Sequence, residues 1–347
     1  MIRLQLTQPS SVEDVQSMLQ TAIGVEFGTL PPYLYAMLSI PPGENLAAAG
    51  LVKSVALQEM IHMCLAGNIL NAIGGSPKLS PPVYPGPLPG DIGPPDGPPL
   101  TIRLLRLSED AMAQGMAIET PEDVPPFPVR AAPSAKEDTT GSGTIAQFYQ
   151  AIDVALRDPS ITWYPDRNQI TDDQFFAGQL FAVNNYADAH RAIEEIVSEG
   201  EGSPQTNDPL DFQNEIAHYY RFGEVYYNKV LTKIPAPPGY AWGPEPLGVD
   251  WDQVYPAIPD PGTHDFSNDS QAAQDAQAAC NRAYSAMVDA LQLAMNGVDG
   301  QLGIAVRAMF DLRMAAKVAL HIPLADGTSV AGPSFLYVSP PKTGGCA

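Results

Sequence analysis

The sequence predicts an all-α protein built as a bundle of antiparallel helices. Three observations carry this expectation. Long stretches repeat apolar residues at three- and four-residue spacing. Most of the 36 prolines lie between those stretches. The links from the first long stretch to the second, and from the third to the fourth, are short, which favours antiparallel neighbours.

The first stretch spans about 11–39. Ser10-Ser11-Val12-Glu13 reads as a capping box, and Val15, Met18, Ala22, Glu26 and Tyr33 share one helical stripe. Pro31 and Pro32 fall inside it. Each lacks an N–H and crowds the carbonyl four residues back, so a kink or widening is expected just after Glu26. The second stretch spans about 46–73. Val52, Val55, Glu59, His62, Ala66, Ile69 and Ile73 form an inward seam with two ionisable residues at its middle. Gly74-Gly75 ends it.

Residues 76–100 hold ten prolines and should be extended. Leu100–Leu107 fits a short strand, Ser108–Glu119 a short helix, 121–143 a loop and Thr144–Leu156 a helix. A third long helix is expected from about Thr171 to Glu201. Its inward face would carry Leu180, Val183, Ala187, His190, Glu194, Val197 and Glu201. After a break at 202–204, Asp208 would cap a fourth helix reaching about Lys233. Residues 234–266 form a loop, and two further helices fit 269–295 and 301–321. The chain thus divides into a bundle over 1–235, with a long proline-rich crossover at 76–143 capping one end, and a 236–347 loop-and-two-helix extension packed on it.

Composition narrows the partners. With 45% apolar residues, 347 residues can bury a large core. Against 39 acidic residues stand 18 basic ones, a net charge of −21, which argues against nucleic acid and anionic membrane faces. No apolar run approaches the ~20 residues of a membrane span. The opening MIRLQLTQPS lacks the apolar core of a secretory leader. Three scattered cysteines, Cys64, Cys280 and Cys346, make no disulfide framework, so a reducing cytoplasm is expected.

The chemistry centres on two Glu-x-x-His pairs, Glu59/His62 and Glu215/His218, each placing a carboxylate and an imidazole on one helix face. Chance would supply roughly 0.2 such pairs. Glu26 lies on the stripe of the preceding helix. In the second hairpin, Glu194 and Glu201 compete to face Glu215 and His218, and equal distance to the turn favours Glu194. One carboxylate from each of two helices plus Glu-x-x-His from the other two is the ligand layout of di-iron and di-manganese carboxylate proteins. Buried carboxylates need a divalent pair to offset their charge, and these donors suit Fe or Mn. Glu195 and Glu199 read as surface charges, Glu119 as a local cap and His190 as a hydrogen-bond partner behind the site. His264 carries no signal, and His321 reads as a helix-end cation. Tyr33, Tyr35, Tyr219, Tyr220, Tyr226 and Tyr227 read chiefly as core.

The chain resembles the ferritin-like domain of iminophenyl-pyruvate dimer synthases. The resemblance rests on Val25-Glu26-Phe27 with Pro31-Pro32-Tyr33-Leu34-Tyr35, on Glu59-Met60-Ile61-His62-Met63, on Ala117-Ile118-Glu119-Thr120-Pro121 and on Thr144-Ile145-Ala146-Gln147-Phe148-Tyr149. It continues in Gly200-Glu201-Gly202 and Ala217-His218-Tyr219-Tyr220-Arg221-Phe222, covering roughly 10–235. It implies a ferritin-like four-helix core, a non-haem metal site and a preference for Glu201 over Glu194. It also implies oxidative chemistry of the specialised-metabolism kind. The expected function is therefore a metal-dependent oxidoreductase. It would use two Fe or Mn ions, dioxygen or peroxide, and a small aromatic or amino-acid-derived substrate. Manganese-catalase-like peroxide disproportionation and a non-enzymatic metal-binding or assembly role are the alternatives. A homo-oligomer is compatible with all three.

Overall fold

A computed structural model describes the chain apart from residues 7, 95–96, 122–140, 173, 177, 203–208, 212, 236–238 and 340–347. Among the described residues are eight α-helices and two small two-stranded antiparallel sheets. Helix α1 (Val12–Leu38) and α2 (Leu46–Ala72) form a long hairpin. Then come α3 (Glu109–Ile118), α4 (Ile145–Leu156), α5 (Tyr186–Glu201) and α6 (His218–Tyr227). A second hairpin, α7 (Gln271–Met295) and α8 (Gln301–Ala319), closes the chain. Strand β1 (Leu4–Gln5) pairs with β2 (Ser142–Gly143), and β3 (Leu231–Lys233) with β4 (Tyr240–Trp242).

The helices stack in three layers. The α1–α2 hairpin is the middle one, with α7 and α8 on one side and the pairs α3/α6 and α4/α5 on the other. The sequence of α2 dictates its place there. From Val55 onward it is apolar nearly all round, and Gln58–Ala72 is buried without interruption. A helix with no polar face must be covered on every side.

Local chemistry sets the helix ends. Ser11 caps α1 and Asp14 closes the box, one residue beyond the sequence reading. The helix runs unbroken through Pro31 and Pro32. Pro32 removes the N–H that would have served the Gly28 carbonyl, and Tyr84 supplies the replacement, its hydroxyl donating to Gly28 O at 2.6 Å. Thr144 and Gln147 form a full capping box on α4. Helices α3 and α6 pack closely because Gly115 has no side chain; a Cβ there would stand 2.8 Å from the Phe222 ring.

Three expectations are corrected. Leu100–Leu107 is not a strand; it makes one isolated bridge, Ile102 to Gly86. The third long helix begins at Tyr186, not Thr171. Asn185 caps it, and the preceding segment is tied to α2 because Asn68 donates to the Ile170 and Phe181 carbonyls at 2.8 Å each. The fourth helix covers only His218–Tyr227. Asp211 folds the chain before it into a turn, its Oδ1 accepting from the Gln213 and Glu215 amides, while Asn228 in left-handed conformation (φ 51°) ends it. Asp208, the expected cap, lies outside the described residues, as does most of the 121–143 loop.

Tyr84→Phe should leave the Gly28 carbonyl buried and unserved. We expect a loss of about 1–3 kcal/mol in urea unfolding, with the fold unchanged by circular dichroism. A loss below the error of the measurement would mean that the Pro31-Pro32 turn is stabilised by something else.

Candidate metal centre

Six buried ionisable side chains converge where α1 and α2 meet α3, α5 and α6. Glu26 comes from α1, and Glu59 and His62 from α2. Glu119 caps the C-terminus of α3, Glu199 lies near the end of α5, and His218 opens α6. All are at most 5% exposed. Two triads form, Glu26/Glu59/His62 and Glu59/Glu119/His218, each offering ligand atoms within 4.8 Å of one another, and Glu59 belongs to both. The two imidazole rings stack with centroids 5.5 Å apart.

The hydrogen bonds around these triads follow one pattern. Each triad carboxylate has one oxygen beside a hydroxyl and the other turned inward. Tyr149 donates to Glu26 Oε1 at 2.7 Å, and Tyr33 to Glu119 Oε1 at 2.6 Å. Thr29 Oγ1 lies 2.9 Å from Glu59 Oε2 and 2.8 Å from the Glu26 carbonyl, so its single proton serves one of them at a time. Both tyrosines are held well above their usual pKa range by burial and then by the neighbouring carboxylates. They therefore stay protonated and stay donors.

Each histidine points one nitrogen outward and one inward. His62 Nε2 meets Glu199 Oε2 at 2.8 Å. A carboxylate in its ionised form only accepts, so Nε2 carries the proton. Glu199 is held below its ordinary value: burial is the largest single influence and works to raise it, but His62, His218 and Gln58 together outweigh it. His218 Nε2 meets Gln58 Oε1 at 3.1 Å, and the same oxygen accepts from Arg221 Nη1 at 2.6 Å, which fixes it as an acceptor. In both rings Nδ1 is the nitrogen that faces the triad carboxylates. His62 Nδ1 lies 3.8 Å from Glu59 Oε1 and 3.9 Å from Glu26 Oε2. His218 Nδ1 lies 2.8 Å from Glu59 Oε1 and 3.7 Å from Glu119 Oε2.

That last contact tests whether the residues fit a cation. The close oxygen notwithstanding, His218 Nδ1 makes no directed hydrogen bond among the described residues. A buried ring nitrogen aimed at carboxylate oxygens without a directed hydrogen bond is the donor arrangement that a metal ion between them would complete. The four buried carboxylates, Glu26, Glu59, Glu119 and Glu199, match the charge of two divalent cations. Glu26 and Glu59 are pushed well above the carboxylate range, first by burial and then by acidic neighbours: Glu59 acts on Glu26, and Glu119 on Glu59. A cavity of about 20 Å³ borders these groups, walled by Ile145, Ala146, Ile196, Val197 and Gly200 as well.

Four of the expected residues, Glu26, Glu59, His62 and His218, come together here. Three do not join the triads. Glu194 is on the outer face of α5, its side chain 46% exposed and 3.5 Å from His190. Glu215 precedes α6 rather than lying one turn before His218 on it; its side chain is 62% exposed and accepts from Arg221 Nη2 at 3.2 Å. Glu201 borders the cavity, but its Oε1 accepts from the Ala146 amide at 2.9 Å, capping the start of α4. Glu119, which the sequence presents as a cap and which does cap α3, and Glu199, which it presents as a surface charge, both lie at the triads. Both continue helical spacing from apolar neighbours: Met112, Gly115 and Glu119 on α3, and Ala192, Ile196 and Glu199 on α5. That periodicity was the available signal.

Acidification should stabilise the chelated protein. The carboxyls of Glu26 and Glu59 are raised above the unfolded value of about 4.3. Their contribution to stability is then complete below that value and is lost as pH rises through the raised folded values. After metal stripping, the Tm should be higher near pH 5.5 than near pH 8, and Glu26→Gln should flatten this slope. An unchanged slope in Glu26→Gln would mean that other groups set it.

A family model described as Ferritin-like matches residues 19–227. Among solved structures, the crystal structure of a ferritin-like protein from Caulobacter vibrioides is similar over 94% of this chain and 100% of that one, with a TM-score of 0.61 and 20% identity. At that identity the likeness is one of fold. No curated protein matches the chain.

Proposed function

The chain belongs to the Ferritin-like family, and from that premise we propose that it is a non-haem di-metal oxidase or oxygenase, with two Fe or Mn ions between its triads. Glu26, Glu59 and His62 would hold one ion and Glu59, Glu119 and His218 the other, with Glu59 shared. The observation that carries this reading is the inward Nδ1 of His218, set 2.8 Å from Glu59 Oε1 with no directed hydrogen bond. Redox-active metals held there would supply electrons to dioxygen or peroxide.

The protein's own groups set the conditions for that chemistry. Tyr149 and Tyr33 hold the outer oxygens of Glu26 and Glu119, which keeps the inner oxygens aimed at the triads. The same phenols stand within proton-transfer reach of those carboxylates. Glu199 and Gln58 fix the tautomers of His62 and His218. Ile145, Ile196 and Val197 give the cavity an apolar wall opposite the carboxylates. The resemblance to iminophenyl-pyruvate dimer synthases supports a small aromatic or amino-acid-derived metabolite as the electron donor and a place in specialised metabolism. No helix of the described residues is long and apolar enough to cross a membrane.

Peroxide disproportionation is a second reading, favoured by one observation. The cavity bordering the triads is small, about 20 Å³, which suits a molecule the size of water or peroxide.

Metal content separates the ligand roles. The purified protein should carry about two equivalents of Fe or Mn by mass spectrometry. Glu59→Ala should lose both, because this residue serves both triads. His218→Ala should lose about one, while Glu194→Ala and Glu215→Ala should keep about two. No metal after reconstitution with Fe(II) or Mn(II) would sink the proposal. Loss of metal on changing Glu194 or Glu215 would mean that the ligand set is different.

A further inference from the structure

Helix α8 is apolar on both sides. Its inner face, Ala305, Ala308, Leu312, Ala316 and Ala319, packs into the core. Its outer stripe carries Ile304, Phe310, Met314 and Val318, each between 51% and 59% exposed. Single exposed apolar residues are ordinary, but four along one stripe of one helix form a patch. Arg307 and Asp311 stand within this stripe, one turn apart. Neither makes an ion pair or side-chain hydrogen bond among the described residues, although an i,i+4 pair was open to them.

The stripe is complementary to itself. A second α8 laid antiparallel across a two-fold axis at the height of Met309 pairs residues equidistant from that point. At 1.5 Å rise per residue, Arg307 and Asp311 lie about 3 Å either side of the axis, so each arginine meets the aspartate of the other copy. Ile304 and Met314 lie about 7.5 Å either side and meet in the same way. Phe310, one residue from the axis height, meets its own counterpart, where two rings can stack.

A self-pairing of α8 has to offset like charge, both of the whole chain and of the helix itself. Two copies at −21 each repel over most approaches. Helix α8 holds Arg307, Arg313 and Lys317 against the single Asp311, so it is locally basic. Two crossed Arg307–Asp311 contacts would add attraction at the axis.

We propose that the outer stripe of α8 is a homodimer interface with two-fold symmetry, closed by reciprocal Arg307–Asp311 pairs around a central Phe310 contact. It lies across the α7–α8 layer from the triads, so dimerisation leaves both metal positions within one chain.

Sedimentation velocity on the full chain, over about 1 to 100 µM, tests this directly. The wild type should dimerise. Arg307→Asp should weaken association by about tenfold or more, because like charges then meet twice. The double variant Arg307→Asp/Asp311→Arg should restore it, which a merely misfolded variant would not do. Since both side chains are exposed, circular dichroism and Tm should stay as in the wild type. A monomer at every concentration would overturn the proposal, as would a dimer indifferent to Arg307→Asp. Binding to vesicles with anionic lipid by a monomeric chain would also overturn it and assign the stripe to a membrane surface.

Discussion

The structure depends on one electrostatic constraint: acidic side chains held among apolar helices, facing the inner nitrogens of two imidazoles. Isolated buried carboxylates are prohibitively costly, and four of them surround two buried histidines here. Every neighbouring feature answers to that. Hydroxyls of Thr29, Tyr33 and Tyr149 take the outer oxygens, and Glu199 and Gln58 take the outer ring nitrogens. The carboxylate oxygens and ring nitrogens that these groups leave over face one small volume, which is the arrangement a cation site requires.

Placing that volume requires α2 to be the central helix. Its apolar circumference allows layers on both sides, and Glu59 and His62 are the ionisable interruptions at the middle of its seam. The α7–α8 hairpin covers the far side with apolar surface, so the buried charges of α2 project only towards α3–α6. The close approach at Gly115 brings α3 against α6, and with it Glu119 against His218. A bulkier residue at Gly115 would push apart the helices that carry half of the second triad.

Much of this was legible in the sequence, and the failures share a physical origin. Glu26, Glu59 and His62 sit on long helices whose periodicity is sustained over several turns, so their facing was readable. On α5 the same method failed. Extending the helix back to Thr171 favoured a stripe through His190 and Glu194, whereas the helix that forms begins at Asn185 and presents Ala192, Ile196 and Glu199 inward. The amide of Asn68, bonded to backbone groups more than 100 residues away, keeps that preceding segment from being helical, and no local pattern records it. Glu215 failed for a related reason. Glu-x-x-His implies a shared face only within a helix, and the Asp211 turn places Glu215 outside one. Glu119 was hidden because a residue at a helix end reads equally well as a cap.

The two halves of the centre are not equivalent, and the inequality lies behind the ligands rather than in them. Each triad has an imidazole and shares Glu59. Behind His62 stands an anion, Glu199, kept ionised by His62, His218 and Gln58 together. Behind His218 stands a neutral amide whose oxygen is already drawn upon by Arg221. An anion accepting the outer N–H raises the basicity of the inner nitrogen, whereas an amide polarised by a guanidinium does so far less. His62 is therefore the stronger donor. A cation at the Glu26/Glu59/His62 triad would be held in a more electron-rich environment than its neighbour. Glu59, common to both, would sit between unequal charges, and its two oxygens differ accordingly: Oε1 faces both imidazoles, while Oε2 meets the Thr29 hydroxyl. A fold that needed only to neutralise buried acid could do so symmetrically. Here the surrounding side chains separate the two positions in character before any ligand arrives.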